Sequence, residues 1–186
     1  MIEPARVPAT TIEVSDELIQ SILTPYRAEC RYLQKLWIDC YDPPGAPTGA
    51  VGGSIVGRGQ FAIPESFYIV DTGHFNAVEF NLCFNQIGYV YLAYCFDHKL
   101  IPPIAEVDLA YYRRQQLGGL LIAKFSSTYR TQMRAARFWG EFSLSKTIER
   151  NSLWLLDTRI RYWDDGDGRS EGSALLALLK ERPAAG

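Results

Sequence analysis

The chain contains few of the residues that most often bind metals. Only two histidines occur in 186 residues, and neither lies in an H-x-x-x-H or H-x-D pattern that would bring ligands together. The four cysteines, Cys30, Cys40, Cys83 and Cys95, include no C-x-x-C pair. We therefore expect free thiols, no metal and no other cofactor.

An excess of positive charge is also missing. Nineteen Lys and Arg against 21 Asp and Glu give a formal net charge of -2, without a long basic run. This balance argues against a nucleic-acid partner bound through its phosphates. The N-terminal residues are polar and acidic, whereas a secretory signal is basic and then apolar. Together with the free thiols, this pattern favours a reducing, cytoplasmic location.

The sequence has no convincing membrane span. Its longest apolar stretch, residues 77–96, contains Glu79, Asn81, Asn85 and Gln86 and lacks flanking basic anchors. We therefore expect no membrane partner. A helix that is apolar nearly all round must instead be buried on most sides. The hydrophobic content of 47% is sufficient for one core that encloses it.

The polar segment at the start of this helix is the most informative part of the chain. Asn76 followed three residues later by Glu79 is a capping-box pattern, which predicts a helix that begins there. Gly73 permits a tight turn just before it, and His74 supplies an imidazole that exchanges protons near neutral pH. A helix start also carries partial positive charge, which suits a carbonyl oxygen that gains negative charge during a reaction.

Strand-like runs lie on both sides of the long helix, with turn-forming residues between them. The predicted strands span residues 31–41, 54–63, 120–133, 137–148, 153–163 and 170–179. Short helices are predicted over residues 13–23, with Ser15 as N-cap, and over residues 107–116. We expect the last four strands to form a meander.

This order of elements predicts an α+β protein with a curved antiparallel sheet wrapped around a long central helix. That arrangement is the hot-dog fold. No internal repeat or linker divides the sequence, so we expect residues 1–186 to form a single domain.

Three blocks of sequence carry a family resemblance. The first is residues 24–26 (Thr-Pro-Tyr) with 30–33 (Cys-Arg-Tyr-Leu), the second is Tyr68 with 72–79 (Thr-Gly-His-Phe-Asn-Ala-Val-Glu) and 83–86 (Cys-Phe-Asn-Gln), and the third is Lys124 with Ser126-Ser127. Weaker similarities at residues 148–150 and 162–164 extend the match over most of the chain. In these blocks the sequence resembles the FcoT-type long-chain fatty acyl thioesterases of actinobacteria, which have the hot-dog fold.

The resemblance implies an enzyme that acts on an acyl thioester of acyl carrier protein or coenzyme A. It further implies a homodimer or larger homo-oligomer with an acyl tunnel beside the central helix. Similar proteins in pathways to isonitrile lipopeptides and β-amino-acid-primed polyketides add glycine to a (2E)-enoyl thioester by aza-Michael addition. They then hydrolyse the thioester and release an N-carboxymethyl-3-amino fatty acid. We expect this reaction, with a plain acyl thioesterase and a non-catalytic acyl-binding domain as alternatives.

The resemblance also marks functional residues. Two tyrosines and an asparagine that matter in the thioesterase members correspond to Tyr26, Tyr68 and Asn76. We expect His74 to take a proton from the glycine ammonium or from water, and Glu79 to act as a base or to bind the ammonium. Asn76 would orient the thioester carbonyl or a water. Structural alternatives are a turn hydrogen bond for His74 and helix capping for Asn76 and Glu79.

A glycine substrate also needs a cationic partner for its carboxylate. Lys124 and Arg31 are the candidates by motif, with a surface charge or a structural ion pair as the alternative for each. Gly73, Ser126 and Tyr26 complete the expected substrate-binding residues. No nucleophile elbow surrounds Ser126, so we expect direct attack by glycine or water and no covalent enzyme intermediate.

Overall fold

The computed structural model describes residues 8–41, 55–69 and 74–180. In these ranges seven strands form one antiparallel sheet, and a 21-residue helix packs against it. The strands are β1 (Thr10–Glu13), β2 (Leu33–Cys40), β3 (Ile55–Phe61), β4 (Leu120–Thr131), β5 (Phe138–Glu149), β6 (Leu153–Trp163) and β7 (Arg169–Leu179). The helices are α1 (Asp16–Ile22), α2 (Ala77–Asp97) and α3 (Leu109–Gln115), with short 3-10 helices at Ala28–Cys30 and Pro102–Ile104.

The strands lie in the order β1-β2-β3-β5-β6-β7-β4. β5, β6 and β7 are consecutive neighbours, as predicted. The prediction of a four-stranded meander was wrong for β4, which lies beyond β7 at the edge of the sheet, while β3 pairs with β5. Local patterns predict which segments are extended. The pairing order depends on the long connection through α2 and α3, which carries the chain from β3 to the opposite edge.

The central helix α2 is buried by the sheet, as its apolar composition predicted. Phe80, Phe84 and Ile87 are almost fully buried against the inner face. Two strand glycines permit close packing there, because a Cβ at Gly57 would lie 2.8 Å from the Tyr91 ring and one at Gly140 2.7 Å from Tyr162. The expected α+β hot-dog fold, an antiparallel sheet wrapped around a long helix, is confirmed.

Gln86 joins the middle of α2 to the start of β2. Its Oε1 accepts hydrogen bonds from the backbone N–H groups of Tyr32 and Leu33 at 2.8 and 3.0 Å. Its Nε2 donates to the carbonyl oxygen of Cys30 at 2.6 Å. The side chain is completely buried, so both ends of this amide are satisfied inside the protein.

The N-terminal part differs from the prediction in one element. Ser15 is the N-cap of α1, as expected, but residues Thr10–Glu13 pair with β2 as strand β1 and do not belong to the helix. All four residues of β1 are exposed. The strand therefore has no buried face, and without one the sequence shows no period-two apolar alternation.

The four cysteines are free thiols. None of the helices in the described parts of the chain is long and apolar enough to cross a bilayer. The same parts contain no group of three or more His, Cys, Asp or Glu side chains that could hold a metal ion.

Candidate functional site

Asn76 is the N-cap of α2 and uses only one half of its amide in that role. Its Oδ1 accepts from the backbone N–H groups of Val78 and Glu79 at 2.9 and 3.4 Å. These two bonds identify the oxygen, so the other amide atom is the Nδ2 donor. Nδ2 is buried and has no hydrogen-bond partner among the described residues. A buried donor without a partner is costly, and a ligand carbonyl would satisfy it.

Glu79 completes the capping box predicted from the sequence. Its Oε2 accepts from the backbone N–H of Asn76 at 3.4 Å, and the residue is 1% exposed. Burial raises the pKa of Cys83 well above that of an ordinary thiol, and the charge of Glu79 adds to the rise. Cys83 therefore stays protonated, as suits an inert core thiol.

A cavity of about 570 Å³ lies beside the start of α2. It is lined by His74, Phe75, Asn76, Ala77, Tyr129, Arg130, Thr131 and Gln132. The backbone N–H of Phe75 donates to the carbonyl oxygen of Met133 at 3.0 Å, which ties the segment before the helix to the chain that follows β4. The cavity thus brings together exposed His74 and Asn76, two residues that the sequence analysis selected. Glu79 does not line it.

The cavity also contains residues of β4 that the sequence analysis missed. A bulge between Tyr129 and Thr131 interrupts the pairing of β4 with β7, and such bulges often re-aim side chains beside active sites. The Tyr129 ring packs edge-on against Phe80, with ring centroids 5.7 Å apart. Partial burial raises the pKa of Tyr129; a hydrogen bond with Ser127 opposes the rise and the charge of Glu79 adds to it. The sequence carries no clear signal of the bulge.

Arg130 lies in that bulge without a paired residue on β7. Its Nε and Nη2 both donate to Oε1 of Glu171, at 3.1 and 2.5 Å. The two side chains are 63% and 52% exposed. Arg130 lines both this cavity and a neighbouring depression of about 380 Å³ that Glu171 also lines.

Tyr26 and Arg31 lie beside the middle of α2. The Tyr26 ring centroid is 6.4 Å from that of Tyr89 on α2, and burial raises the pKa of Tyr26 above its usual value. The guanidinium of Arg31 donates to the carbonyl oxygens of Tyr26 and Thr24 and to Oε1 of Gln20, at 3.0 to 3.3 Å. Arg31 thus holds in place the segment that presents Tyr26.

The other expected site residues lie apart from the cavity or outside the described ranges. Tyr68 is 42% exposed and its ring packs edge-on against Phe67 at 5.1 Å. Gly73 lies outside the described residues. Neither Tyr68 nor Tyr26 lines the cavity.

Lys124 and Ser126 lie on the outer face of the sheet. Phe125, between them, packs against Phe80 and Phe84 of α2. Because successive side chains of a strand point to opposite faces, Lys124 and Ser126 point away from the helix. Ser126 lines a depression on that outer face with residues of β5, β6 and β7. The structure therefore separates these two residues from His74 and Asn76.

A family model described as FcoT-like thioesterase domain matches residues 21–178. The chain belongs to the FcoT-like thioesterase family. Curated relatives match over nearly the same span. A (2E)-enoyl-ACP glycyltransferase from Streptomyces coeruleorubidus is 34% identical over 172 residues, which cover 89% of this chain and 98% of the relative. A protein of the same name from Mycobacterium tuberculosis is 35% identical over 173 residues, or 91% and 89% of the two chains.

Solved structures are less similar to this chain. A thioesterase family protein from Silicibacter pomeroyi has a TM-score of 0.44 at 13% identity, over 88% of this chain and 98% of the other. A thioesterase from Thermus thermophilus, solved with coenzyme A and Zn, has a TM-score of 0.40 at 15% identity, over 67% and 82%. These scores are low, so membership of the family rests on the sequence matches, which confirm the resemblance.

Proposed function

We propose that this FcoT-like thioesterase adds glycine to the β-carbon of a (2E)-enoyl-ACP thioester and then hydrolyses the thioester. The product is an N-carboxymethyl-3-amino fatty acid. The observation that carries the proposal is the cavity at the start of α2, which exposed His74 lines together with Asn76, a residue whose buried Nδ2 has no hydrogen-bond partner among the described residues. The names of the curated relatives support the same reaction.

In the addition step, the glycine nitrogen bonds to the β-carbon and the electrons of the double bond shift toward the thioester carbonyl. His74 takes the proton that the amine must lose, and the α-carbon gains a proton when the enolate collapses. Nδ2 of Asn76 donates to the carbonyl oxygen as its negative charge develops. Ala77, the first residue of α2, also lines the cavity, so the positive end of the helix faces the same oxygen.

Hydrolysis uses the same groups with water as the nucleophile. Water attacks the thioester carbonyl carbon, and His74 accepts the proton that the water loses. The tetrahedral oxyanion takes the place of the enolate oxygen beside Asn76. The carbon–sulfur bond then breaks and the thiolate of the carrier arm leaves.

The resemblance implies an acyl tunnel beside the same helix. A narrow crevice between α2, β4 and β7 is lined by Phe84, Asn85, Gly88, Tyr89, Leu120, Ile122 and Leu176. Tyr26 flanks this crevice through its contact with Tyr89. The crevice has a volume of about 10 Å³, enough for one water, so we propose that it widens when the acyl chain binds, because burial of methylene groups is favourable there.

The edge strand β4 supports self-association. It is 12 residues long, pairs with β7 on one side only, and exposes Leu121 and Ile122. Long apolar edge strands tend to pair with another strand. We propose a homo-oligomer formed through β4, in the cytoplasm, where the free thiols stay reduced. Light scattering should show a dimer or larger assembly for the parent and a smaller species for Leu121→Lys.

The reaction is tested by incubation with a (2E)-enoyl acyl carrier protein, with and without isotopically labelled glycine. We expect a released acid whose mass equals that of the enoic acid plus one labelled glycine. Release of the unsaturated acid alone would instead establish a plain thioesterase. An intact thioester under both conditions would indicate a domain that only binds acyl chains.

A further inference from the structure

A glycine substrate requires a cation at the cavity, and the two cations selected by sequence motif are not there. Arg31 donates its guanidinium hydrogen bonds to the segment around Tyr26. Lys124 points to the outer face of the sheet, away from α2. The residue that lines the cavity with His74 and Asn76 and carries a guanidinium is Arg130.

We infer that Arg130 binds the carboxylate of the amino-acid substrate, an inference that rests on the proposed function. Of the five N–H groups of its guanidinium, the Nε group and one on Nη2 bond to Glu171, which leaves three for a ligand. Arg130 and Glu171 are both more than half exposed, and exposed pairs of this kind contribute little stability. A substrate carboxylate can therefore share the guanidinium without disrupting the fold.

The bulge in β4 explains how an arginine of the sheet reaches this position. Arg130 has no paired residue on β7, whereas Thr128 and Tyr129 before it are paired with Glu171 and Ser170. Arg130 thus lies between the cavity and the outer-face depression that it lines with Glu171. Glu171 holds Nε and Nη2 of the guanidinium, and we assign the three remaining N–H groups to the ligand.

This geometry makes Arg130 a determinant of amine specificity. Glycine carries its amine one carbon away from its carboxylate, so a carboxylate held by Arg130 keeps the amine close to the guanidinium. His74 and Asn76 line the same cavity, which brings the amine near the base and the β-carbon that it attacks. An amine without a carboxylate, such as glycinamide, lacks this anchor.

The test measures initial rates of addition against glycine concentration for the parent and for Arg130→Gln. We expect the KM for glycine to rise about 30-fold or more, because a charge-assisted bidentate contact is lost, while kcat at saturating glycine stays within about threefold. The preference for glycine over glycinamide should disappear. Arg130→Lys, which keeps the charge but loses the fork, should give an intermediate KM.

Arg161→Gln is the matched control, because Arg161 forms an exposed ion pair with Glu141 on the outer face. Its KM for glycine and its amine preference should equal those of the parent. If the parent adds glycine but Arg130→Gln has an unchanged KM for glycine, the role of Arg130 is wrong and the proposed function stands. A parent that releases only the unsaturated acid would overturn the proposed function and the anchor with it.

Discussion

Two side-chain amides, one in the middle of α2 and one at its N-cap, differ in how fully their hydrogen bonds are satisfied. Gln86, in the middle of α2, makes three hydrogen bonds to backbone groups around the start of β2. Asn76, at the start of α2, satisfies its oxygen but leaves its buried Nδ2 without a partner among the described residues. Both side chains are amides on or just before one helix, so their chemistry does not distinguish them. Their surroundings do.

This difference in hydrogen bonding distinguishes a residue that stabilises the fold from one that can bind a ligand. A fully satisfied buried amide joins two elements, and its loss should destabilise the fold. A buried donor that has no partner and belongs to a residue lining a cavity retains its capacity for a ligand, and its loss should affect turnover. Four predictions test this separation, from the largest expected effect to the smallest.

Replacing Gln86 by Leu should produce the largest effect, on stability. It leaves two buried N–H groups and one carbonyl without partners, each worth about 1–3 kcal/mol, so we expect a loss of roughly 3 kcal/mol or more. Turnover per folded molecule should stay near that of the parent. Urea unfolding measures the effect. Gln34→Leu is the control, because exposed Gln34 donates to the carbonyl oxygens of Arg31 and Tyr32 in the same segment. Equal unfolding midpoints for the two variants would refute the role of Gln86.

Replacing His74 by Ala should lower turnover about 100-fold or more, because a general base is lost. His74 is exposed, so the melting temperature should change little. The measurement is the rate per folded enzyme on the enoyl thioester with glycine. His98→Ala is the matched control, because His98 caps the opposite end of α2 and stacks on Tyr94. If both histidine variants retain the parent rate, the general base lies elsewhere.

Replacing Asn76 by Ser should separate its two roles. Serine is as good an N-cap as asparagine, so stability should change by no more than a few tenths of a kcal/mol, as for exchanges among good N-caps. The amide donor is lost, and turnover should fall about 100-fold. Asn76→Ala should show the same fall together with a loss of about 1 kcal/mol of stability. A serine variant with parental turnover would mean that Nδ2 does not contact the substrate.

Asp39 is a carboxylate outside the cavity whose oxygens accept hydrogen bonds within the fold, so it can be compared with Gln86. It accepts from Thr11 Oγ1 at 2.6 Å and from Arg58 Nε at 2.9 Å. Burial alone would raise the pKa of Asp39, but the hydrogen bonds from Arg58 and Thr11 outweigh it, and the pKa lies below its usual value. The ionised group therefore stabilises the fold above the pKa of the unfolded chain, and this contribution is lost as pH falls through the folded pKa.

We accordingly expect Asp39→Asn to be less stable than the parent at pH 7, with a difference that narrows toward acid pH. Thermal melts between pH 7 and pH 3 measure it. Turnover at neutral pH should not change, because Asp39 lies outside the cavity. A stability difference that stays constant across this range would argue against a lowered pKa.

Much of the architecture followed from local pattern. The capping box at Asn76 and Glu79 predicted the start of α2, and the strand-like run at residues 153–163, bounded by turn-forming residues, predicted the whole of β6. The order of the strands was not predictable in this way. The sequence of β4 indicates that the segment is extended but does not indicate which strand it pairs with. Strand β1 was not predicted because none of its residues is buried, so its sequence shows no apolar alternation.

The sequence by itself determined the family, the long buried helix and the placing of His74 and Asn76 together at its start, because these properties depend on residues close in the chain. Tertiary structure alone decided which cationic residue lines the same cavity as His74 and Asn76. Lys124 and Arg130 lie six positions apart on one strand, and nothing in their local sequence separates their roles. Strand alternation turns Lys124 outward, and a bulge brings Arg130 to the cavity. Both outcomes depend on pairing with β7, roughly 40 to 50 residues further along the chain.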